Sequence, residues 1–127
     1  MVALRTGINM FYEITGDGPP LLLIMGTAAD HSTWSSQVAA YNSDFTVITY
    51  DARGTGLSSA PTDPTTYSMR VLADDAAALL EIINVDSAHI SGLSLGSATA
   101  QEFAISYPHM VRSLQLHCTW GRSDEWF

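Results

Sequence analysis

The chain contains no lysine, a single cysteine and few charged residues of any kind. Its five arginines face 13 carboxylates, for a formal net charge of −8. Such a surface repels phosphate backbones and anionic lipid, so neither nucleic acid nor a membrane surface is an expected partner. One thiol, Cys118, rules out an internal disulfide. Membrane spanning takes about 20 consecutive apolar residues, and no stretch comes near that. Met1 to Met10 lacks the charged start and apolar run of a signal peptide. These absences point to the reducing cytoplasm. With 46% hydrophobic and only 14% charged residues the composition is not that of a disordered chain. It suits a sheet buried on both faces. The length of 127 residues fits one domain, and no repeat, low-complexity tract or linker divides it.

What is present is alternation. An extended pair, Val2 to Thr6 and Ile8 to Thr15, turns at Gly7. The cluster Gly16-Asp17-Gly18-Pro19-Pro20 is a turn. Leu21 to Met25 is a continuous apolar run too short for a helix, and it reads as a buried central strand. Phe45 to Tyr50 reads as the next strand. From Tyr67 to Ile83, Leu72, Ala76, Leu79, Leu80 and Ile83 recur at helical spacing, with Ser68 as N-cap. Ala88 to Ser91 is a short strand, Leu95 to Tyr107 a helix stopped by Pro108, and Val111 to Cys118 a further strand. Strands alternating with helices predict an α/β fold. Its sheet is mostly parallel with helices on both faces, and an N-terminal hairpin runs antiparallel. In such sheets ligands bind beyond the carboxyl ends of the strands. The segments after Met25, Tyr50, Gly92 and Cys118 should therefore face the site.

Gly92-Leu93-Ser94-Leu95-Gly96 sits at one of those ends and matches G-x-S-x-G between a strand and a helix. A tight strand-to-helix turn strains the serine backbone and lifts its hydroxyl above the sheet. Side chains at the two glycines would collide with neighbouring backbone. The start of the helix adds free amides and a positive dipole end beside Ser94. Ser94 is the candidate nucleophile. Acyl transfer also needs two amides aimed at the tetrahedral oxygen. Leu95, directly after the nucleophile, and Thr27, in the Met25-Gly26-Thr27 loop, are the candidates. The loop Asp51-Ala52-Arg53-Gly54-Thr55-Gly56-Leu57-Ser58 lacks the lysine of a phosphate-binding loop and the glycine spacing of a dinucleotide fingerprint. It reads as a structural loop pinned by Asp51 and Arg53 through charge-assisted hydrogen bonds.

Together, the Leu21–Thr27 strand and loop, the D-x-R-G-x-G-x-S loop and the Gly92–Gly96 elbow resemble the α/β-hydrolase superfamily across nearly the whole chain. Within it they look like the branch of esterases, lactonases and cofactor-free haloperoxidases. Met25-Gly26 stands where many members have His-Gly. The resemblance implies a serine hydrolase acting on a small carboxylic ester, lactone or thioester through an acyl-enzyme on Ser94, with no cofactor or metal. It also implies the chain order Ser, then Asp or Glu, then His. The sequence ends at Phe127, so the expectation is a truncated core without the family's last strands, cap and histidine.

Local substitutes for the missing acid and base are His117, near the end of its strand, His31, in the oxyanion-loop region, and Asp124. His89 reads as sheet packing and His109 as distant from the reactive end. Trp34, Trp120 and Trp126 read as buried apolar surface. The alternative function is a catalytically incomplete fragment or binding module that keeps the pocket without turnover. The Val111–Cys118 strand, uncovered and apolar, reads as an edge that recruits another chain. That chain would be a second copy, giving a homo-oligomer, or a complementing C-terminal fragment.

Overall fold

The computed structural model describes residues 1–122. The chain opens with a small antiparallel ribbon of β1 (Val2–Ala3) and β2 (Asn9–Met10), closed at Gly7. Then come β3 (Tyr12–Thr15), β4 (Pro20–Ile24), a 3-10 turn at His31–Trp34, α1 (Ser35–Tyr41) and β5 (Thr46–Tyr50). The long Asp51 loop leads to α2 (Met69–Ile82), followed by β6 (Ala88–Leu93), α3 (Leu95–Ser106) and β7 (Val111–His117). The five-stranded sheet has the order β3-β5-β4-β6-β7, with β5, β4, β6 and β7 parallel and β3 antiparallel to β5.

The expected architecture is present, with two differences. The second arm of the N-terminal hairpin does not run unbroken to Thr15. It breaks at Phe11, whose amide donates to the Ser58 hydroxyl at 2.9 Å. The chain then enters the main sheet as β3, so an antiparallel pair also lies in that sheet. The second difference is α1, which the sequence reading does not contain. Its seven residues bury none of their number, so there was no apolar stripe to find.

Alternation sorts the strand side chains onto two faces. Leu22, Ile24, Ile48, Tyr50 and Ile90 pack with Ala73, Ala76, Leu79 and Leu80 of α2 and Ala100 and Phe103 of α3. Leu4, Ile8 and Met10 of the ribbon close the same core. On the other face Leu21, Leu23 and Val47 meet Trp34, with Val38 of α1 against them. Ser68 caps α2 as expected, accepting from the Val71 amide at 3.1 Å.

Candidate active site

Ser94 occupies the turn between β6 and α3. Its φ of 56° and ψ of −123° lie outside the regions an L-residue prefers. Such a conformation costs about 1–3 kcal/mol and persists only where the surroundings over-determine it. Here they do. The Ser94 amide donates to the carbonyl of His117 in β7 at 3.0 Å, and its own carbonyl accepts the Ser97 amide at 2.8 Å and the Ser97 hydroxyl at 2.6 Å. The sheet holds one side of the peptide and the helix holds the other.

The glycines of the motif permit this approach. A Cβ on Gly96 would stand 2.1 Å from the Ile24 carbonyl oxygen, and one on Gly92 would stand 2.3 Å from the Gly96 oxygen. No side chain fits at either place, so α3 starts directly against β4 and its own strand. Gly26 makes the third close approach. A Cβ there would lie 2.9 Å from the Ser94 Cβ and 3.4 Å from its Oγ. The loop after β4 therefore runs alongside the Ser94 side chain. Gly26, Thr27 and Leu95 line a common cavity of about 340 Å³, whose other walls include Met25, Tyr50, Ala52, Arg53, Tyr67, Leu72 and Thr99. The two residues singled out as amide donors thus border one space beside Ser94, with Thr27 exposed and Leu95 half-buried.

The Asp51 loop is latched twice, by two separate carboxylates. Asp51 has no exposed surface. Its Oδ1 accepts from the His31 amide and meets His31 Nδ1, both at 2.8 Å, and its Oδ2 accepts from the Leu57 amide at 2.8 Å. Arg53 pairs not with Asp51 but with Asp75 of α2. Its Nε and Nη2 donate to the two Asp75 oxygens at 2.8 and 2.9 Å, and Nη1 donates to the Thr66 carbonyl at 3.1 Å. Both ions of this fork are buried. Asp75 escaped the sequence reading although a signal existed. It falls on the apolar stripe of α2, three residues after Leu72, where a carboxylate requires a buried partner.

The candidate bases are placed as follows. His31 is tied through Nδ1 to Asp51 and packs against the Phe11 ring at 4.6 Å between centroids. His117 meets Ser94 through its carbonyl oxygen, whereas its side chain lines a different cavity with Leu21, Leu23, Trp34 and Leu93. No histidine is hydrogen-bonded to the Ser94 hydroxyl among the described residues. Asp124 and Trp126 lie outside those residues. His89 bonds the Ser113 hydroxyl across to β7 at 2.7 Å, and His109 is exposed after α3. Asp30, His31 and Asp51 bring carboxylate and imidazole atoms close enough to hold a cation. Those atoms are engaged within the loop, since Asp30 Oδ1 accepts the Ser32 amide and hydroxyl at 2.9 and 2.5 Å. The cluster serves as a latch.

A strained serine between a parallel strand and a helix, beside a glycine loop from the neighbouring strand, is the hallmark of a nucleophile elbow. The chain belongs to the α/β-hydrolase fold family, whose model matches residues 19–127. It is 35% identical over 116 residues to a RutD protein of Azorhizobium caulinodans assigned as a carbamate hydrolase, covering 91% of this chain and 43% of that protein. Among solved structures it is similar to a hydrolase from Pseudomonas aeruginosa PA01, with TM-score 0.86 and 34% identity over 91% of this chain and 43% of the other. It is also similar to the enol-lactonase of Burkholderia xenovorans LB400, with TM-score 0.83 and 30% identity over 89% of this chain and 44% of the other. The chain thus spans less than half the length of these relatives. No helix among the described residues is long and apolar enough to cross a membrane.

Proposed function

We propose that this chain carries the nucleophile of a serine hydrolase acting on a small carboxylic ester, lactone or thioester. In that reaction the Ser94 oxygen bonds to the substrate carbonyl carbon, and the amides of Thr27 and Leu95 receive the oxyanion. Collapse of the tetrahedral adduct breaks the bond to the alcohol or thiol, which leaves with the proton that Ser94 gives up. Water then cleaves the acyl-enzyme, releases the acid and restores the hydroxyl. The single observation that carries this reading is the Ser94 backbone, held in its unfavourable conformation by β7 on one side and α3 on the other.

The relatives support hydrolysis as the reaction class, and the lactonase among them supports an activated acyl carbon as the target. The roles of base and acid are not assigned to a described residue. His31 is tied to Asp51 and the His117 side chain lines a separate cavity, and that arrangement favours a second reading, a pocket that binds the substrate class without turning it over. One experiment separates the two. The protein is incubated with p-nitrophenyl acetate and, separately, with a fluorophosphonate probe, alongside Ser94→Ala. Turnover and labelling in the parent, both lost in the variant, support the hydrolase. No turnover and no labelling in the parent support the second reading. Turnover that survives Ser94→Ala overturns the nucleophile assignment.

A further inference from the structure

The cavity bordered by Gly26, Thr27 and Leu95 has a chemical character that narrows the substrate, provided Ser94 is the nucleophile proposed above. Its walls are largely apolar: Ile24, Met25, Ala52, Leu72 and the rings of Tyr50 and Tyr67. Its volume of about 340 Å³ is near the lower end of the ~300–1,000 Å³ typical of ligand pockets, which suits a medium-length chain or one ring. Among the described residues only one charged side chain lines it, Arg53, and that charge is already matched. The buried Asp75 carboxylate takes two guanidinium nitrogens and the Thr66 carbonyl a third. An incoming carboxylate would bring a second negative charge to a single cation in a partly dehydrated space. Without a counter-ion of its own it would lose hydration with little return. Tyr50 adds no charge, because burial, reinforced by the nearby Asp75 charge, pushes its phenol well above its ordinary pKa.

We propose that this cavity is the acyl pocket of the enzyme and that it selects neutral, apolar acyl groups of medium length, aliphatic or single-ring, against acyl groups that carry a carboxylate. Leu72 of α2 and Ala52 of the Asp51 loop are the specificity-determining walls, and the Arg53–Asp75 pair is the element that rejects charge.

The test uses unreactive probes on the chain itself. Acetamide, hexanamide and hexanoate are titrated while backbone amide resonances are followed by NMR, and Ser94 labelling by a fluorophosphonate is measured in parallel. Hexanamide is expected to bind about tenfold or more tighter than acetamide or hexanoate, with shifts centred on Tyr50, Leu72 and Leu95. Leu72→Phe and, from another wall, Ala52→Leu are each expected to weaken hexanamide about tenfold while the protein stays folded by circular dichroism. Asp75→Asn leaves Arg53 without its counter-charge and is expected to shift the preference toward hexanoate. Hexanoate binding as tightly as hexanamide to the parent protein overturns the inference, as does hexanamide binding no tighter than acetamide. If Ser94 is labelled in either case, the nucleophile reading stands without the pocket. If hexanamide binds but Ser94 is never labelled, the nucleophile reading fails and the cavity is not an acyl pocket.

Discussion

The central sheet has two faces, and they are built differently. One packs under α2 and α3 and joins strand, helix and ribbon side chains in a single large cluster with Phe103 at 0% exposure. The other gathers Leu21, Leu23 and Val47 with Trp34 into a cluster of four buried residues, flanked by the half-buried Met25, Val38, Phe45 and Leu93. Both faces carry strands of similar apolar content, because β4 reads Pro20-Leu21-Leu22-Leu23-Ile24 and supplies each face in turn. The difference lies in the helices laid on them. The first face is the one that sets the site. It positions α3 against β4 tightly enough to strain Ser94, and it holds the Asp51 loop through Asp75. The second face shares its strands with the site but adds little to its rigidity, so substitutions on the two faces should differ sharply in cost.

The largest effect is expected at the contact that sets the elbow. Gly96→Ala would place a Cβ 2.1 Å from the Ile24 carbonyl, a backbone atom that cannot swing aside. The first turn of α3 must move, at a cost of about 4 kcal/mol or more. Equilibrium unfolding in urea measures the loss. A loss under about 1 kcal/mol would mean that α3 has slack over the sheet, contrary to the comparison. Next comes Asp75→Ala, which leaves a buried guanidinium unpaired and should cost about 3–5 kcal/mol. Phe103→Ala in the core of the same face belongs in the same range of about 3–5 kcal/mol. By contrast Leu21→Ala on the second face should cost about 2 kcal/mol, the bottom of the range for buried leucines, because its surroundings are open and can relax. Equal losses for Phe103→Ala and Leu21→Ala would mean that the two faces are packed alike.

The edge formed by β7 sharpens it further. Within the described residues β7 pairs only with β6, and its residues are mostly exposed, Leu114 among them. Free strand edges bind other strands. We propose self-association through this edge, to be checked by light scattering. A mass near twice the 13.7 kDa chain is expected, and a lone 13.7 kDa species with strongly protected β7 amides would refute it.

Much of the first face was legible in the sequence, and little of the second. The stripe from Leu72 to Leu80 and the Ser68 cap mark α2, because burial on one side imposes a period, whereas β4, buried on both faces, shows as a continuous apolar run after Pro20. The elbow was legible for a steric reason, since the close backbone approaches at Gly92 and Gly96 leave no room for a side chain. The loop latches were not. His31 and Asp51 are 20 residues apart and Arg53 and Asp75 are 22 apart, so only the folded chain joins them. The helix α1 is not legible because none of its residues is fully buried, and the one half-buried valine that packs on the sheet, Val38, makes no period in the sequence. The break at Phe11 depends on a hydroxyl 47 residues away.

The smallest expected effect is the most telling about the second face. Trp34 is 6% exposed, and its indole Nε1 is buried with no hydrogen-bond partner among the described residues. A desolvated donor left unpaired costs about 1–3 kcal/mol. Trp34→Phe removes that donor together with part of the ring that packs on Leu21, Leu23 and Val47. Loss of packing destabilises, and removal of the orphan N–H stabilises by a similar amount. The two terms should nearly cancel, leaving a net change within about 1 kcal/mol by urea titration. On the first face no such cancellation is available to Phe103, which has no polar atom to lose. If Trp34→Phe instead costs more than about 2 kcal/mol, the indole N–H has a partner in solution. The second face is then covered more completely than its visible contacts suggest, and the asymmetry between the faces shrinks accordingly.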